Sequence, residues 1–454
     1  MRYLLNLVYL ALLALAAPWL IYSAVRTGKY RQGWAAKFWG RVPLRTGERR
    51  CVWLHAVSVG EVNLLKPLLT ALEHDYPDVE CVISTTTRAG FDLARQKYAP
   101  RTVFYCPLDF SWAVSRALRR IRPDLLVLAE LELWPNLLAA AKRRGTRVAV
   151  VNGRLSEKSW RGYQRIVRWV RGWLQHIDVV GVQNTTYADR FRSLGLPRER
   201  IAVTGSVKFD GAQSDRDNPS TRRLAELAGI TAADRVFLAG STQSPEEATA
   251  LEAFQRVSVD HPELRLVIVP RHPERFDEVA RLLDRAGVAW DRRSCLKPPA
   301  AGFESGTDEK RRPVAQRILL VDTVGELGAW WGTAQFAFVG GSLGNRGGQN
   351  MIEPAAYGAA LSFGPNTQNF RDVVAMLLAE KAASVVRNGM DLEAWLRQML
   401  EDPEFAAAQG ERARSLVLAQ QGATRRTLDL LRPLLDPPRP GAEGGTQRRD
   451  GRAA

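Results

Sequence analysis

A series of short polar clusters in this 454-residue chain lies where an apolar run gives way to a helical pattern, and each carries residue types that do chemistry. The first is His55-Ala56-Val57-Ser58-Val59-Gly60-Glu61. A carboxylate at a strand's end can take a proton from a substrate hydroxyl. The same carboxylate at a helix start can simply complement the helix dipole. Ser84-Thr85-Thr86-Thr87-Arg88-Ala89-Gly90 offers hydroxyls to sugar or phosphate oxygens, or an N-cap to the next helix. Glu130-Leu131-Glu132-Leu133-Trp134-Pro135-Asn136 sets two carboxylates and an indole at a strand end, closed by a proline suited to a helix start. Asn152-Gly153-Arg154-Leu155-Ser156 follows another apolar run.

The second half repeats the pattern. Gly240-Ser241-Thr242-Gln243-Ser244-Pro245-Glu246-Glu247 is a strand-to-helix loop with glycine and hydroxyls. Pro270-Arg271-His272-Pro273-Glu274-Arg275 offers Arg271, whose guanidinium fork matches phosphate oxygens. Asp322-Thr323-Val324-Gly325-Glu326-Leu327 ends a third run. The stretch from Phe336 to Phe370 opens with the apolar run Phe336–Val339 and continues with Gly340, Gly341, Gly344, Gly347 and Gly348. Gln349-Asn350-Met351-Ile352-Glu353-Pro354 then begins a helical segment. Strand, glycine loop and helix start together make an anion cradle, because glycine lets the backbone approach and the helix start offers unpaired N–H groups. Glycine clusters also form plain turns.

The elements that must position these clusters are strands alternating with helices. In the first half, 52–56, 81–84, 102–105, 125–129, 148–151 and 179–182 read as strands. In the second, 236–239, 266–269, 318–321, 336–339 and 360–363 do so. Such alternation predicts parallel sheets covered by helices, with the functional loops at the carboxyl ends of the strands. A polar stretch, 211–220, reads as a flexible linker between two α/β domains. Two such domains facing a central cleft make the GT-B arrangement of nucleotide-sugar glycosyltransferases. The expected organisation is a membrane anchor at 1–26, Rossmann-like domains at 27–210 and 211–436, and a disordered tail at 437–454.

Leu4 to Val25 is free of charge for 22 residues, long enough to span a bilayer. Arg26, Lys29, Arg31, Lys37, Arg41, Arg45, Arg49 and Arg50 follow it against Glu48 alone. Charge behind the apolar run predicts an uncleaved transmembrane helix with the body of the protein on the cytoplasmic side. Pro18 also allows the helix to lie in the membrane interface. The net charge of +16 points to polyanionic partners. Anionic lipid headgroups at the basic segment account for much of that excess, with Tyr30, Trp34, Phe38 and Trp39 interleaved there. Trp160 to Leu174 is rich in Arg and Trp, and reads as a helix on the headgroups or one packed with snorkelling arginines. Cys51, Cys81, Cys106 and Cys295 lack disulfide or zinc spacing, and the five histidines are scattered, so no metal site is expected.

Eight motifs in order resemble the 3-deoxy-D-manno-octulosonic acid (Kdo) transferase family. They are HAVSVGEV at 55–62, ELELWPNL at 130–137, NGRLSEKS at 152–159, GSVKFD at 205–210, AGSTQSPEE at 239–247, PRHPER at 270–275, DTVGEL at 322–327 and FVGGSLGNRGGQNMIEPAAYG at 338–358. The resemblance implies a GT-B enzyme at the cytoplasmic face of a Gram-negative inner membrane. It implies transfer of Kdo from CMP-Kdo to a lipid A precursor (lipid IVA), with release of CMP and without metal or cofactor, the 27–210 domain binding the acceptor and the 211–436 domain the nucleotide sugar. Glu61 matches the family's general base. Arg271 would meet the phosphate, with Ser241 and Thr242 beside it. Gly325, Glu326 and Leu327 would line the cytidine pocket, and Gly348, Asn350 and Glu353 the nucleotide. Ser58, Gly60, Glu130 and Arg154 fall near the donor sugar or acceptor. Gln349 stands where the family commonly has histidine, which removes any role resting on an imidazolium.

Two other readings compete. One is another GT-B enzyme, a UDP-sugar hexosyltransferase or a 2-epimerase. The other is a non-catalytic membrane-tethered binding protein whose basic surface takes nucleic acid. The ordered motifs favour the transferase, with CMP-Kdo, the lipid A precursor and anionic membrane lipids as partners and no nucleic acid.

Overall fold

The computed structural model describes residues 2–27, 32–296 and 317–436. The chain divides into two compact units, one running to Asp210 and resuming at Gln421, the other spanning Gly211–Gln420. Lys29, Tyr30 and Arg31, residues 297–316 and the expected disordered tail from 437 lie outside the described residues.

The first unit is built on seven parallel strands: β1 (Cys51–His55), β2 (Glu80–Thr85), β3 (Val103–Tyr105), β4 (Leu125–Ala129), β5 (Arg147–Gly153), β6 (Val179–Val182) and β7 (Ile201–Val203). Their order across the sheet is β3-β2-β1-β4-β5-β6-β7. Every residue of β1 and β4 is buried, as a sheet covered on both faces requires. Alternate residues serve opposite faces. Cys51 and Trp53 join one apolar cluster, while Val52 and Leu54 join the other.

The second unit repeats the plan with β8 (Arg235–Thr242), β9 (Leu264–Pro270), β10 (Asp291–Arg292), β11 (Ile318–Leu320), β12 (Phe336–Val339), β13 (Ala360–Phe363) and β14 (Ser384–Val385). Their order is β10-β11-β9-β8-β12-β13-β14, again parallel. Each sheet reverses its winding direction once, between β1 and β4 in the first and between β8 and β12 in the second. In an open parallel sheet that reversal leaves a crevice beyond the strand ends. The short edge strands β7, β10 and β14 were not legible in the sequence, since two or three residues cannot display a hydrophobic period.

The structure corrects three expectations. First, the segment after 420 does not belong to the second unit. The Ala423–Leu435 helix buries Leu428, Leu431 and Leu435 in a cluster with Leu54 and Val62 of the first unit. Asp210 caps this helix, accepting the Gly422 N–H at 2.7 Å, the Ala423 N–H at 3.2 Å and the Thr424 N–H. The aspartate of the GSVKFD motif thus supplies the side-chain cap that Gly422 lacks.

Second, the expected linker is not loose. Arg216 donates from Nε to the Tyr357 carbonyl at 2.8 Å, from Nη1 to that of Gly332 at 2.9 Å and from Nη2 to that of Ala334 at 2.8 Å. Asn218 then caps the Pro219–Leu227 helix by accepting from the Thr221 N–H.

Third, the transmembrane span is not found: among the described residues no helix is long and apolar enough to cross a membrane. Arg2–Thr27 does form one helix, with Pro18 inside it. It carries Asn6, Tyr9, Tyr22 and Ser23 among its apolar residues, and its first turns dock on the first unit. Asn6 Nδ2 donates to Ser111 Oγ at 2.7 Å and Tyr9 Oη donates to Asp109 at 3.1 Å. The apolar residues Leu4, Leu7, Leu12, Leu15, Ile21 and Val25 remain exposed.

Candidate functional site

The crevice of the first sheet lies beyond β1 and β4, where the sequence places Glu61 and Glu130. After β1 the chain turns at Val57 and enters the Val59–Asp75 helix through Ser58. Ser58 Oγ accepts the Glu61 N–H at 3.3 Å and donates to Glu61 Oε1 at 2.9 Å. Glu61 Oε2 accepts the Val57 N–H at 2.8 Å. This is the capping box written by the spacing Ser-x-x-Glu. The capping role and the base role therefore fall on one carboxylate. A carboxylate has about four lone-pair sites, and the Val57 N–H, the Ser58 hydroxyl and the Ser58 N–H leave some acceptor capacity over. Burial raises the proton affinity of Glu61, the bonds from Val57 and Ser58 lower it, and the charge of Glu130 raises it, with a net upward shift.

Beyond β4, Glu130 adopts φ 58°, and Asn152, at the neighbouring end of β5, adopts φ 54°. Non-glycine residues in that left-handed region carry strain and gather at functional sites. Glu130 is held there by its N–H donating to the Val151 carbonyl at 2.9 Å. Arg154 follows β5 directly and is half-buried. Glu132 also faces this crevice: burial first, and then the charges of Glu61 and Glu130, push its carboxyl up to about 7. Three acidic side chains are thus electrostatically linked; the sequence set Glu130 and Glu132 together at this strand end but gave a site role to Glu130 alone. Gly60 contributes no steric necessity, because a Cβ there would sit 3.7 Å from Ser58 Oγ, an ordinary contact.

The hydroxyl loop after β2 is occupied internally. Thr87 caps the Arg88–Tyr98 helix through the Gly90 N–H, and Thr85 Oγ1 donates to the Val57 carbonyl at 3.1 Å. His55 is fully buried against Ser84, whose Oγ also accepts the Trp53 indole N–H at 2.7 Å. Burial pushes the His55 pKa down to about 4, so the ring is neutral at physiological pH.

The crevice of the second sheet lies beyond β8 and β12, between the Ser241 loop and the glycine loop. The structure reverses the simple cradle reading of those glycines, because the loop already holds an anion. Glu246, 1% exposed, accepts the N–H groups of Gln243 at 2.9 Å, Gly341 at 2.7 Å, Ser342 at 2.8 Å and Leu343 at 2.9 Å. Gly340 must be glycine, since a Cβ would lie 2.6 Å from Thr242 Cα and 2.8 Å from Glu246 Oε2. Sequence reasoning missed Glu246; the available signal was the Pro-Glu-Glu that opens the Glu246–Val257 helix.

Ser241 adopts φ 54° at the end of β8. Thr242 is fully buried and lacks the exposure that a direct phosphate contact requires. The two arginines of PRHPER separate by role. Arg275 pairs with the buried Glu247 and with Glu278 at 2.9 Å. Arg271 is exposed, and its N–H donates to the Thr242 carbonyl at 3.0 Å, which fixes it beside the Ser241 turn. After β11, Gly325 takes φ 91°. Glu326 accepts both arms of Arg293, at 2.9 and 2.7 Å, and the Thr323 hydroxyl at 2.7 Å. Burial pushes its pKa up, but Thr323 and the Arg293 guanidinium outweigh that and hold it below the usual carboxylate range. The Glu326 carboxylate is thereby committed within the protein, and Leu327 begins the short Leu327–Trp330 helix beside it.

Gly348 takes φ 78°, and Asn350 Nδ2 donates to Glu353 Oε1 at 2.9 Å while its Oδ1 accepts the Ile352 N–H at 3.1 Å. Burial raises the Glu353 pKa against the lowering effect of Asn350. Gln349 lies over the loop: a Cβ on Gly341 would meet its Nε2 at 3.0 Å. Among the described residues no three His, Cys, Asp or Glu side chains are grouped to hold a metal.

Residues 29–211 match the family described as "3-Deoxy-D-manno-octulosonic-acid transferase (kdotransferase)". The 3-deoxy-D-manno-octulosonic acid transferase of Haemophilus influenzae is 30% identical over 437 residues, covering 94% of this chain and 98% of its own. The chain belongs to the Kdo transferase family. It is accordingly an enzyme, a glycosyltransferase that handles Kdo. The Kdo transferase of Bordetella pertussis is 34% identical over 91% of this chain and 94% of its own length. A putative UDP-N-acetylglucosamine 2-epimerase structure from Listeria monocytogenes, 13% identical, aligns with TM-score 0.54 over 85% of this chain and 97% of its own, which establishes the GT-B-like fold alone. In this Kdo transferase the residues singled out from the sequence lie in the loops and helix starts that follow parallel strands, or, for Ser241 and Thr242, at a strand's carboxyl end. Ser58, Gly60, Glu61, Glu130 and Arg154 belong to the first unit. Ser241, Thr242, Arg271, Gly325, Glu326, Leu327, Gly348, Asn350 and Glu353 belong to the second.

Proposed function

We propose that this enzyme transfers Kdo from CMP-Kdo to a lipid A precursor, lipid IVA, and releases CMP. The observation that carries the reading is the Glu61 carboxylate. It stands at the winding reversal of the first sheet, its proton affinity is raised by burial, and it keeps acceptor capacity beyond its bonds to Val57 and Ser58. In the proposed step Glu61 takes the proton of an acceptor hydroxyl as that oxygen bonds to the anomeric carbon of Kdo. The bond from that carbon to the CMP phosphate oxygen breaks, and its electron pair leaves with CMP. The carbon passes through an oxocarbenium-like state, as in other glycosyl transfers. CMP is a good leaving group, so charge neutralisation replaces a general acid.

On the second unit Arg271 meets the phosphate, with the Ser241 hydroxyl beside it. Thr242 shapes that turn from beneath. Main-chain groups of Gly325, Glu326 and Leu327 border the base, since the Glu326 side chain is engaged by Arg293. Glu353, oriented by Asn350, accepts ribose hydroxyls, and Gly348 keeps the loop open to the nucleotide. Ser58 and Gly60 shape the turn that presents Glu61, while Glu130 and Arg154 orient acceptor or Kdo. The reaction uses no metal or cofactor. The exposed apolar residues of the Arg2–Thr27 helix enter the lipid, and the basic residues that follow, such as Arg41, Arg49 and Arg50, hold anionic headgroups on the cytoplasmic face of the inner membrane. Incubation with CMP-Kdo and a tetra-acylated lipid A precursor, followed by mass spectrometry, tests the reading. Addition of Kdo is the expected result, and an unmodified acceptor would overturn it.

A further inference from the structure

Two helices that frame the Glu130–Trp134 loop lack side-chain caps of their own. The Ser111–Ile121 helix starts after Phe110, and the Pro135–Arg143 helix starts after Trp134. An uncapped helix start leaves N–H groups without partners. Here the partners come from distant chain. Asn6 Oδ1 accepts the Ser111 N–H at 3.0 Å, and its Nδ2 donates to Ser111 Oγ at 2.7 Å. Asp109 accepts the Asn136 N–H at 3.0 Å and the Leu137 N–H at 2.8 Å. Tyr9 Oη donates to Asp109 Oδ2 at 3.1 Å. Asn136 Nδ2 closes the network on the Asp109 carbonyl at 2.6 Å and on Asn6 Oδ1 at 3.4 Å.

Asn6, Asp109 and Asn136 are 6%, 4% and 4% exposed, whereas Leu15 of the same N-terminal helix is 80% exposed. A membrane-seeking helix does not need a buried asparagine with three partners on a folded domain. Such a fully satisfied polar network specifies one register. The loop it holds has only five residues, 130–134. One end is tied to β5 by the Glu130 N–H, and the other is tied at Asn136 and Leu137. Of the loop's two carboxylates, Glu130 raises the proton affinity of Glu61, and Glu61 and Glu130 in turn raise that of Glu132.

We infer that Asn6 and Tyr9 are positioning residues for glycosyl transfer, the N-terminal helix acting through Asp109 and Asn136 to hold Glu130 and Glu132 in place against Glu61. The inference rests on the transfer reading above. It makes the helix part of the site's scaffold as well as an attachment to lipid.

The test compares full-length wild type with Asn6→Ala, Tyr9→Phe and Leu15→Ser. Each is assayed with CMP-Kdo and detergent-dispersed tetra-acylated lipid A precursor, so that membrane attachment drops out. Asn6→Ala is expected to lower kcat about 10- to 100-fold, the effect of a misplaced site, with the KM for CMP-Kdo within about twofold. The acid limb of its pH–rate profile should shift, because the charge of Glu130 adds to the effect of burial in raising the proton affinity of Glu61. Tyr9→Phe keeps the ring packed and should give a smaller change of the same kind. Leu15→Ser should keep kcat while weakening binding to phosphatidylglycerol vesicles. Hydrogen exchange at the Asn136 and Leu137 amides, read on the same proteins without substrate, should quicken at least about tenfold in Asn6→Ala. If wild type transfers Kdo and both Asn6→Ala and Tyr9→Phe keep kcat and the pH profile, the inference is wrong. An inert wild type with quickened exchange in Asn6→Ala would instead remove the transfer reading and leave the docking intact. Should Asn6→Ala fail to fold, Tyr9→Phe decides.

Discussion

Glu246 Oε2 accepts the Gly341 N–H at 2.7 Å across 95 residues of sequence, and this one contact changes the meaning of the glycine loop. The loop's N–H groups at 341–343 form an anion nest whose anion is the protein's own carboxylate. In the proposed reaction the nucleotide phosphate is therefore left to Arg271 and the Ser241 turn. Glu246→Ala should destabilise the second unit markedly, since each buried N–H left unpaired costs about 1–3 kcal/mol. It should also open the nest. Sulfate is expected to raise the thermal unfolding midpoint of Glu246→Ala more than that of wild type, and equal responses would refute the nest.

Glu61 carries the transfer chemistry in the proposed reaction. Glu61→Gln keeps two hydrogen-bonding arms at the helix start but removes the base. Transfer should fall about 10²- to 10⁴-fold, while CMP binding measured by calorimetry stays unchanged. Near-normal turnover would remove Glu61 from the mechanism.

Arg271 and Arg275 lie four residues apart and should respond differently. Arg271→Ala should weaken CMP binding about 10- to 100-fold, the worth of a charge-assisted phosphate contact, with little change in unfolding midpoint. Arg275→Ala strips the buried Glu247 of its partner and should lower stability first. Wild type should be stabilised against heat by CMP and not by UDP. The reverse preference would favour a UDP-sugar enzyme.

Glu132 makes stability depend on pH. Burial, with the charges of Glu61 and Glu130, raises its carboxyl from an ordinary 4.5 to about 7 in the folded protein. Between those values the folded state binds a proton that the unfolded state has lost. Its stabilising contribution is full below about 4.5 and is lost as pH rises through about 7. Urea midpoints of wild type and Glu132→Gln at pH 5 and pH 8 should diverge at the higher pH, with the variant the more stable. Parallel midpoints would contradict the shift.

The alternation of apolar runs with helical spacing was enough to place β4, β6, β12 and β13 within their observed limits, because each strand is long enough to show its period and is flanked by turn chemistry. The Ser-x-x-Glu spacing likewise put Glu61 at a helix start, where its capping bonds are found. What local pattern could not reveal was partnership over distance. The stripe of Leu428, Leu431 and Leu435 fits any sheet, and only packing assigned it to the first unit. The uncharged 4–25 stretch reads as a free span until Asn6 and Tyr9 find Ser111 and Asp109 about a hundred residues away. Arg271 and Arg275 are equivalent as letters and differ because the fold sets the buried Glu247, with Glu278, beside one of them.

The sequence by itself determined the residue types at each strand end, the parallel α/β architecture and, through its ordered motifs, the family. Tertiary structure decided which of those groups were already occupied. A carboxylate or guanidinium has the same chemistry everywhere, but whether a partner has claimed it depends on which distant segments the fold brings within three ångströms.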